Sequence, residues 1–227
     1  MEAGLTIKGL TKSFGNLRLF ENFDISFVRG KINCILGPSG CGKTTLLNII
    51  SGTVEADKLS ENNFKGLSFS YVFQEPRLLP WKTAEQNLLF TLRDSVPEKE
   101  YLSKAKEYLR LVELEEFRDY YPQKLSGGMK QRLSLARAFS FPSEVILMDE
   151  PFKALDMKLK KNLMQKFEKL WEFDRRTVVF VTHDVDEAID LGHNIRLLEG
   201  PPVRVLKEYH VTPENKYEVR KEIFEIV

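Results

Sequence analysis

Residues 37–45 read GPSGCGKTT, and no other stretch restricts the fold of this chain so tightly. The spacing Gly37, four residues, Gly42, Lys43, Thr44 fits G-x-x-x-x-G-K-[ST], in which glycines let backbone N–H groups converge on phosphate oxygens. Such a loop needs a strand before it and a helix after it, because the N–H groups left over at a helix N-terminus must face the anion. The apolar segment KINCILG supplies the strand. TTLLNIISG supplies the helix, with Leu46, Leu47, Ile49 and Ile50 on helical spacing and Gly52 placed as a stop. Gly37, Pro38, Ser39, Gly40, Cys41, Gly42, Lys43, Thr44 and Thr45 are therefore candidate nucleotide contacts. Lys43 is expected to reach the β- and γ-phosphates, and Thr44 to offer its hydroxyl to Mg²⁺.

A chain of 227 residues, 42% apolar, can bury a substantial core as one domain or as a domain with a subdomain. Its formal net charge of +1 provides no global basic field, so no nucleic-acid partner is expected. There is no run of about 18 apolar residues. The N-terminus MEAGLTIKGL lacks a basic segment followed by an apolar core. The chain is thus expected neither to span a membrane nor to be secreted by that route. Cys34 and Cys41 have neither disulfide-framework nor metal-ligand spacing, which points to a cytosolic home. Cys41, near a helix N-terminus, is expected either to have a lowered pKa and be reactive or simply to be a small residue that fits there.

Along the chain, LTIKGL, a turn at Phe14-Gly15-Asn16 and LFENFDISFV predict an antiparallel, half-exposed sheet, since Phe23, Ile25 and Phe27 alternate with polar residues. VILMD (145–149) and TVVFVT (177–182) are near-continuous apolar runs, expected of parallel strands buried on both faces. Residues 84–140 are mostly helical in pattern, with Leu102, Ala105, Leu109 and Val112 as one stripe. The residues thus predict an α/β nucleotide-binding core with a small β layer and a helical insertion, all within one domain over 1–227. A helical tail is expected from about 205 to 227. In it Thr212-Pro213-Glu214 starts a helix whose Val219, Ile223, Phe224 and Val227 pack back on the core.

Two further constellations carry chemistry. VILMDEPF places Asp149 and Glu150 at the C-terminal end of a buried strand, where ligands bind in parallel sheets. Asp149 suits a Mg²⁺ shell, and Glu150 is the candidate to orient and deprotonate an attacking water. LSGGMKQR (125–132) offers a second anion site: Ser126 can cap a helix, while Gly127 and Gly128 allow a phosphate close to backbone N–H groups.

With these three motifs in this order, the sequence resembles the ATP-binding cassette family from about residue 5 to about 205, with Met129 where Gln is commonest. The resemblance implies an α/β fold: a P-loop NTPase (RecA-like) core with an N-terminal antiparallel β subdomain and an α-helical subdomain. It also implies that ATP and Mg²⁺ are bound. Phe14 resembles the aromatic that stacks on adenine. Gln74 resembles the glutamine that contacts Mg²⁺ and the water, and His183 the switch histidine that contacts the γ-phosphate. Asp156 in KALD matches a loop coupling two sites, although Lys153 replaces the small residue usual before it. In this family one copy holds the nucleotide and a second, head-to-tail copy closes over it through Ser126 to Gly128. A monomer would then bind ATP but hydrolyse it poorly.

The segment QEPRLLPWKTAEQNL resembles the region that receives a short helix from an integral membrane permease subunit, with Glu75, Pro76, Leu79, Pro80 and Trp81 as its surface. EPF, ALD and THDVDEA resemble importer subunits of the nitrate, sulfonate, taurine and thiamine-precursor group. That likeness implies a cytoplasmic subunit attached peripherally to the inner face of the cell membrane, working with an extracytoplasmic solute-binding protein. The alternative is a soluble mechanochemical ATPase acting on nucleic acid or ribosomes. Lys158, Lys160, Lys161, Lys166 and Lys169 are instead expected to form a solvated face over a stripe of Leu159, Leu163, Phe167 and Leu170. The stretch 53–73 looks shortened against the family, which leaves the surface beside the nucleotide site open to change.

Overall fold

In the computed structural model, which describes residues 4–93, 96–153 and 155–226, strand β3 ends at the glycine loop and a helix leaves it. The elements run β1 (Leu5–Phe14), β2 (Leu17–Phe27), β3 (Ile32–Leu36), α1 (Lys43–Ile50), β4 (Glu61–Asn62), β5 (Phe69–Val72) and α2 (Ala84–Leu92). They continue with α3 (Tyr101–Leu111), α4 (Gly127–Ser140), β6 (Val145–Asp149), α5 (Met157–Asp174), β7 (Thr177–Thr182) and α6 (Val185–Leu191). β8 (Asn194–Glu199), β9 (Arg204–His210) and α7 (Lys216–Ile226) complete them. Two compact units result. The first takes residues up to Leu67, Leu147–Glu150 and Arg176 onward, and the second takes Ser68–Ile146 and Pro151–Arg175.

In the first unit β3 lies between parallel partners, from Ile32↔Val178 to Leu36↔Thr182 on one side and from Asn33↔Asn194 to Leu36↔Leu197 on the other. Every residue of β3 and β7 is buried, as continuous apolar runs in a parallel sheet require. Asn33 is the polar residue of β3, and all of its side-chain polar atoms are used. Its Oδ1 accepts from Val28 N at 2.8 Å and from Arg196 Nη1 at 3.1 Å, and its Nδ2 donates to Val28 O at 2.9 Å. A separate antiparallel sheet runs β2-β1-β4, and Phe23, Ile25 and Phe27 are buried between exposed neighbours as their alternation predicts.

The tail departs from expectation. From Arg204 to His210 the chain is a strand, antiparallel to β8, and regular helix begins only at Lys216. An exposed edge strand buries only one of its seven residues, so no period marks it in the sequence. Within α7, Val219 and Ile223 are buried but Phe224 is exposed, and Val227 lies outside the described residues.

The second unit packs its helices around Phe139, Phe152 and Phe167, whose rings meet edge to face. Thr83 and Gln86 form a capping box at the start of α2. The α3 stripe is Ala105, Tyr108, Leu109 and Val112, spaced i, i+3, i+4, i+7, while Leu102 in its first turn is exposed. The lysines of α5 do not all lie on a solvated face. Lys166 falls on the inward stripe, is only 4% exposed, and pairs with Glu113, which neutralises a charge that burial would otherwise penalise.

Candidate functional site

The glycine loop is held by contacts that admit no larger residue at two positions. A Cβ on Gly37 would lie 2.7 Å from Leu198 O. Gly42 has φ +104°, and a Cβ there would press on Leu19 and Val203 at 3.1 Å. No side chain caps α1 and no acidic residue occupies its first turn, so its N-terminal dipoles favour an anion. The Lys43 ammonium is buried, and Nζ donates to Gly37 O and Pro38 O, each at 2.7 Å.

Cys41 does not have the lowered pKa that its position suggests. The residue is 1% exposed, and burial pushes its thiol pKa up against the opposing pull of the Lys43 charge. It is a packing residue of the loop.

At the end of β6, Thr44 Oγ1 donates to Asp149 Oδ1 at 3.0 Å. The next residue, Glu150, takes the left-handed backbone region at φ +44°, while its N–H donates to Val181 O at 3.1 Å. A non-glycine residue in that region costs about 1–3 kcal/mol, a strain that clusters at functional sites. Glu150 Oε1 lies 3.3 Å from His183 Nδ1. His183 is bracketed by a buried network: Thr182 Oγ1 donates to Glu187 Oε2 at 2.6 Å, and Asp184 caps α6 by accepting from Glu187 N at 3.1 Å. Thr44 and Asp149 provide hard oxygen donors, and a small set of protein oxygens is what Mg²⁺ takes when phosphate and water complete its shell. Among the described residues no group of three or more His, Cys, Asp or Glu could hold a metal alone.

Phe14 ends β1 with 49% of its surface exposed, and Lys12 Nζ stands 5.2 Å from its ring centroid. Phe14 pairs with Leu17, two residues along β2 from the Leu19 that packs on Gly42. Two residues of strand span about 7 Å and neighbouring strands lie about 5 Å apart, so Phe14 and Leu19 are separated by roughly 9 Å of the same sheet.

The second unit carries the remaining candidates. Gln74 is exposed, and its carbonyl accepts from Gln131 Nε2 at 3.5 Å. The same Nε2 donates to Pro151 O at 2.7 Å, so the buried Gln131 of α4 ties two loops together. Ser126 caps α4 by accepting from Met129 N at 3.3 Å. Gly127 faces open space, but a Cβ on Gly128 would lie 2.4 Å from Leu159 Cδ1, so a side chain there would have to displace the Leu159 side chain of α5. Asp156 caps α5, its Oδ1 accepting from Leu159 N at 2.9 Å. Ala154 of the same KALD loop lies outside the described residues. Trp81 is 69% exposed on a loop organised by the fully buried Asn87, which accepts from Leu79 N at 2.9 Å and donates to Thr83 O at 2.9 Å.

Gln131, Asn87, Thr182 and Glu187 escape motif reading. The available signal is polarity: Asn87 and Gln131 are polar residues on the inward side of amphipathic helices, where only a local hydrogen-bonding task justifies them.

A protein-family model described as ABC transporter matches residues 20–153, more than half of the chain. An uncharacterized ABC transporter ATP-binding protein of Methanocaldococcus jannaschii is 39% identical over 216 residues, covering 90% of this chain and 81% of the relative. An aliphatic sulfonates import ATP-binding protein SsuB of Bacillus cereus is 36% identical over 218 residues, covering 92% and 83%. A solved ATP-binding cassette, dimeric in a post-hydrolysis state with ADP and Pi bound, aligns with a TM-score of 0.74 at 32% identity over 92% of this chain and 99% of that one.

Proposed function

Since the chain belongs to the ABC transporter family, as an ATPase of the ATP-binding cassette type, we propose that it drives an importer of a small anionic solute of the sulfonate class. The observation that carries the hydrolytic half of this reading is the cluster at the ends of β6 and β7, where Thr44 meets Asp149 and Glu150 meets His183. The importer half rests on the SsuB relatives, such as one at 36% identity, and on the likeness of THDVDEA and EPF to importer subunits.

In this reading Lys43 exchanges its two loop carbonyls for β- and γ-phosphate oxygens, and the α1 N-terminus faces the same charge. Thr44 and Asp149, with Gln74, would hold Mg²⁺, which when bound neutralises charge on the β- and γ-phosphate oxygens. Glu150 orients the attacking water and takes its proton, and its strained backbone fixes where the carboxylate points. His183 steadies that carboxylate and contacts the γ-phosphate. Phe14 stacks on the base. Ser126, Gly127, Gly128 and Asp156 of a second copy complete the site, so closure of the pair on ATP and its opening after hydrolysis form the work stroke.

The loop from Glu75 to Trp81 is the surface for an integral membrane permease, and an extracytoplasmic solute-binding protein delivers the cargo. No helix among the described residues is long and apolar enough to cross a membrane, which is consistent with peripheral attachment at the inner face. Purification of the chain from its own membranes tests this reading. Recovery with a multi-span protein whose presence makes ATP turnover solute-dependent is expected. Turnover stimulated by RNA, with no such companion, would replace the reading.

A further inference from the structure

One acidic residue outside every motif reaches the end of β1. Asp57 Oδ1 accepts from Lys12 Nζ at 2.9 Å and Asp57 Oδ2 accepts from Ser13 N at 2.7 Å, so a single carboxylate grips the two residues before Phe14. Its own backbone joins the same strand, with Asp57 N donating to Thr11 O at 3.0 Å and Thr11 N donating to Lys58 O at 2.9 Å. Lys12, so anchored, presents its ammonium to the Phe14 ring at 5.2 Å. These contacts come from the stretch after α1, which also supplies the two-residue strand β4 beside β1.

We propose that Asp57 is a positioning residue for base recognition: by fixing Lys12 against the Phe14 ring and Ser13 in the backbone, it preorganises the aromatic platform on which the nucleotide's purine stacks. The proposal rests on the reading of Phe14 given above. A ring whose rotamer is settled before binding loses less freedom on stacking, and one immobilised side chain is worth about three- to tenfold in affinity. The hydrogen bond from Lys12 holds the Asp57 carboxyl below the usual carboxylate range. Because the contact serves the base and not the phosphates, its loss should be felt only by ligands that carry a base.

The test compares Mg·ADP with Mg·pyrophosphate, which shares the phosphates and lacks the base, by calorimetric titration of the full chain. Asp57→Ala and Lys12→Met should each weaken ADP about three- to tenfold and leave pyrophosphate unchanged. An unchanged ADP affinity in folded Lys12→Met, or an equal loss for pyrophosphate, overturns the proposal. Should Asp57→Ala fail to fold, Lys12→Met decides alone, since it retains the Asp57 to Ser13 hydrogen bond. Phe14→Ala separates the two levels. If it spares ADP binding, the platform reading itself fails, whereas a loss in Phe14→Ala without one in the other variants removes only the role of Asp57.

Discussion

His183 Nδ1 lies 3.3 Å from Glu150 Oε1, and Glu150 holds that distance from a left-handed backbone position at φ +44°. The contact joins the ends of two strands, β6 and β7, in which all but the last residue of β6 is buried. Strain at Glu150 and exposure at His183 both make sense if the carboxylate must face a ligand.

Glu150→Gln keeps the shape and removes the proton acceptor. ATP binding should persist and a nucleotide-bound dimer should accumulate, while phosphate release falls by about 10²- to 10⁴-fold. Steady-state phosphate release and size-exclusion chromatography check both halves, and near-normal turnover removes Glu150 from the role.

Glu150→Gly separates strain from chemistry. Glycine accepts a positive φ without steric cost, so this variant should melt higher by about 1 kcal/mol of added stability and yet turn over no ATP. Thermal unfolding alongside the same assay reads the two effects.

Gly127 and Gly128 should part company. Gly128→Ala drives a methyl into Leu159 and should cost about 1–3 kcal/mol by chemical denaturation. Gly127→Ala meets open space and should leave the fold intact, while the proposed dimer, in which Gly127 serves the partner's nucleotide, predicts lower turnover.

Asn33→Leu tests the polar node beneath the sheet. It leaves the buried Arg196 guanidinium short of an acceptor and should cost about 3 kcal/mol in a urea titration.

Cys41 should resist iodoacetamide in the native chain at pH 7 and react readily after unfolding. Burial raises the thiol pKa of both Cys41 and Cys34 above the ordinary value of 9.0. The native state therefore keeps these protons longer than the unfolded one, and folding stability should fall as pH rises through 9 and beyond. Rapid alkylation of folded protein at neutral pH contradicts this.

Much of the site is legible in the sequence because its parts are contiguous. Gly37 to Thr45, Asp149-Glu150 and Ser126 to Gly128 each sit at the junction of elements whose apolar pattern is unmistakable. What stays hidden depends on the third dimension. The edge strand from Arg204 to His210 buries only Tyr209, so nothing in its composition opposes a helix. Lys166 reads as a surface lysine until Glu113 arrives from another element to neutralise it. Gly128 reads as a phosphate glycine, and its crowding by Leu159 of another helix is not visible in the motif. The grip of Asp57 on Lys12 spans 45 positions and belongs to no local pattern.

In the proposed dimer each nucleotide site is completed by a second copy. Turnover per chain should therefore be measured over a dilution series, with self-association followed in parallel. Rate per chain should rise with concentration and vanish where only monomer remains, with ATP still bound. Full turnover at dilutions where no dimer is detectable would contradict it.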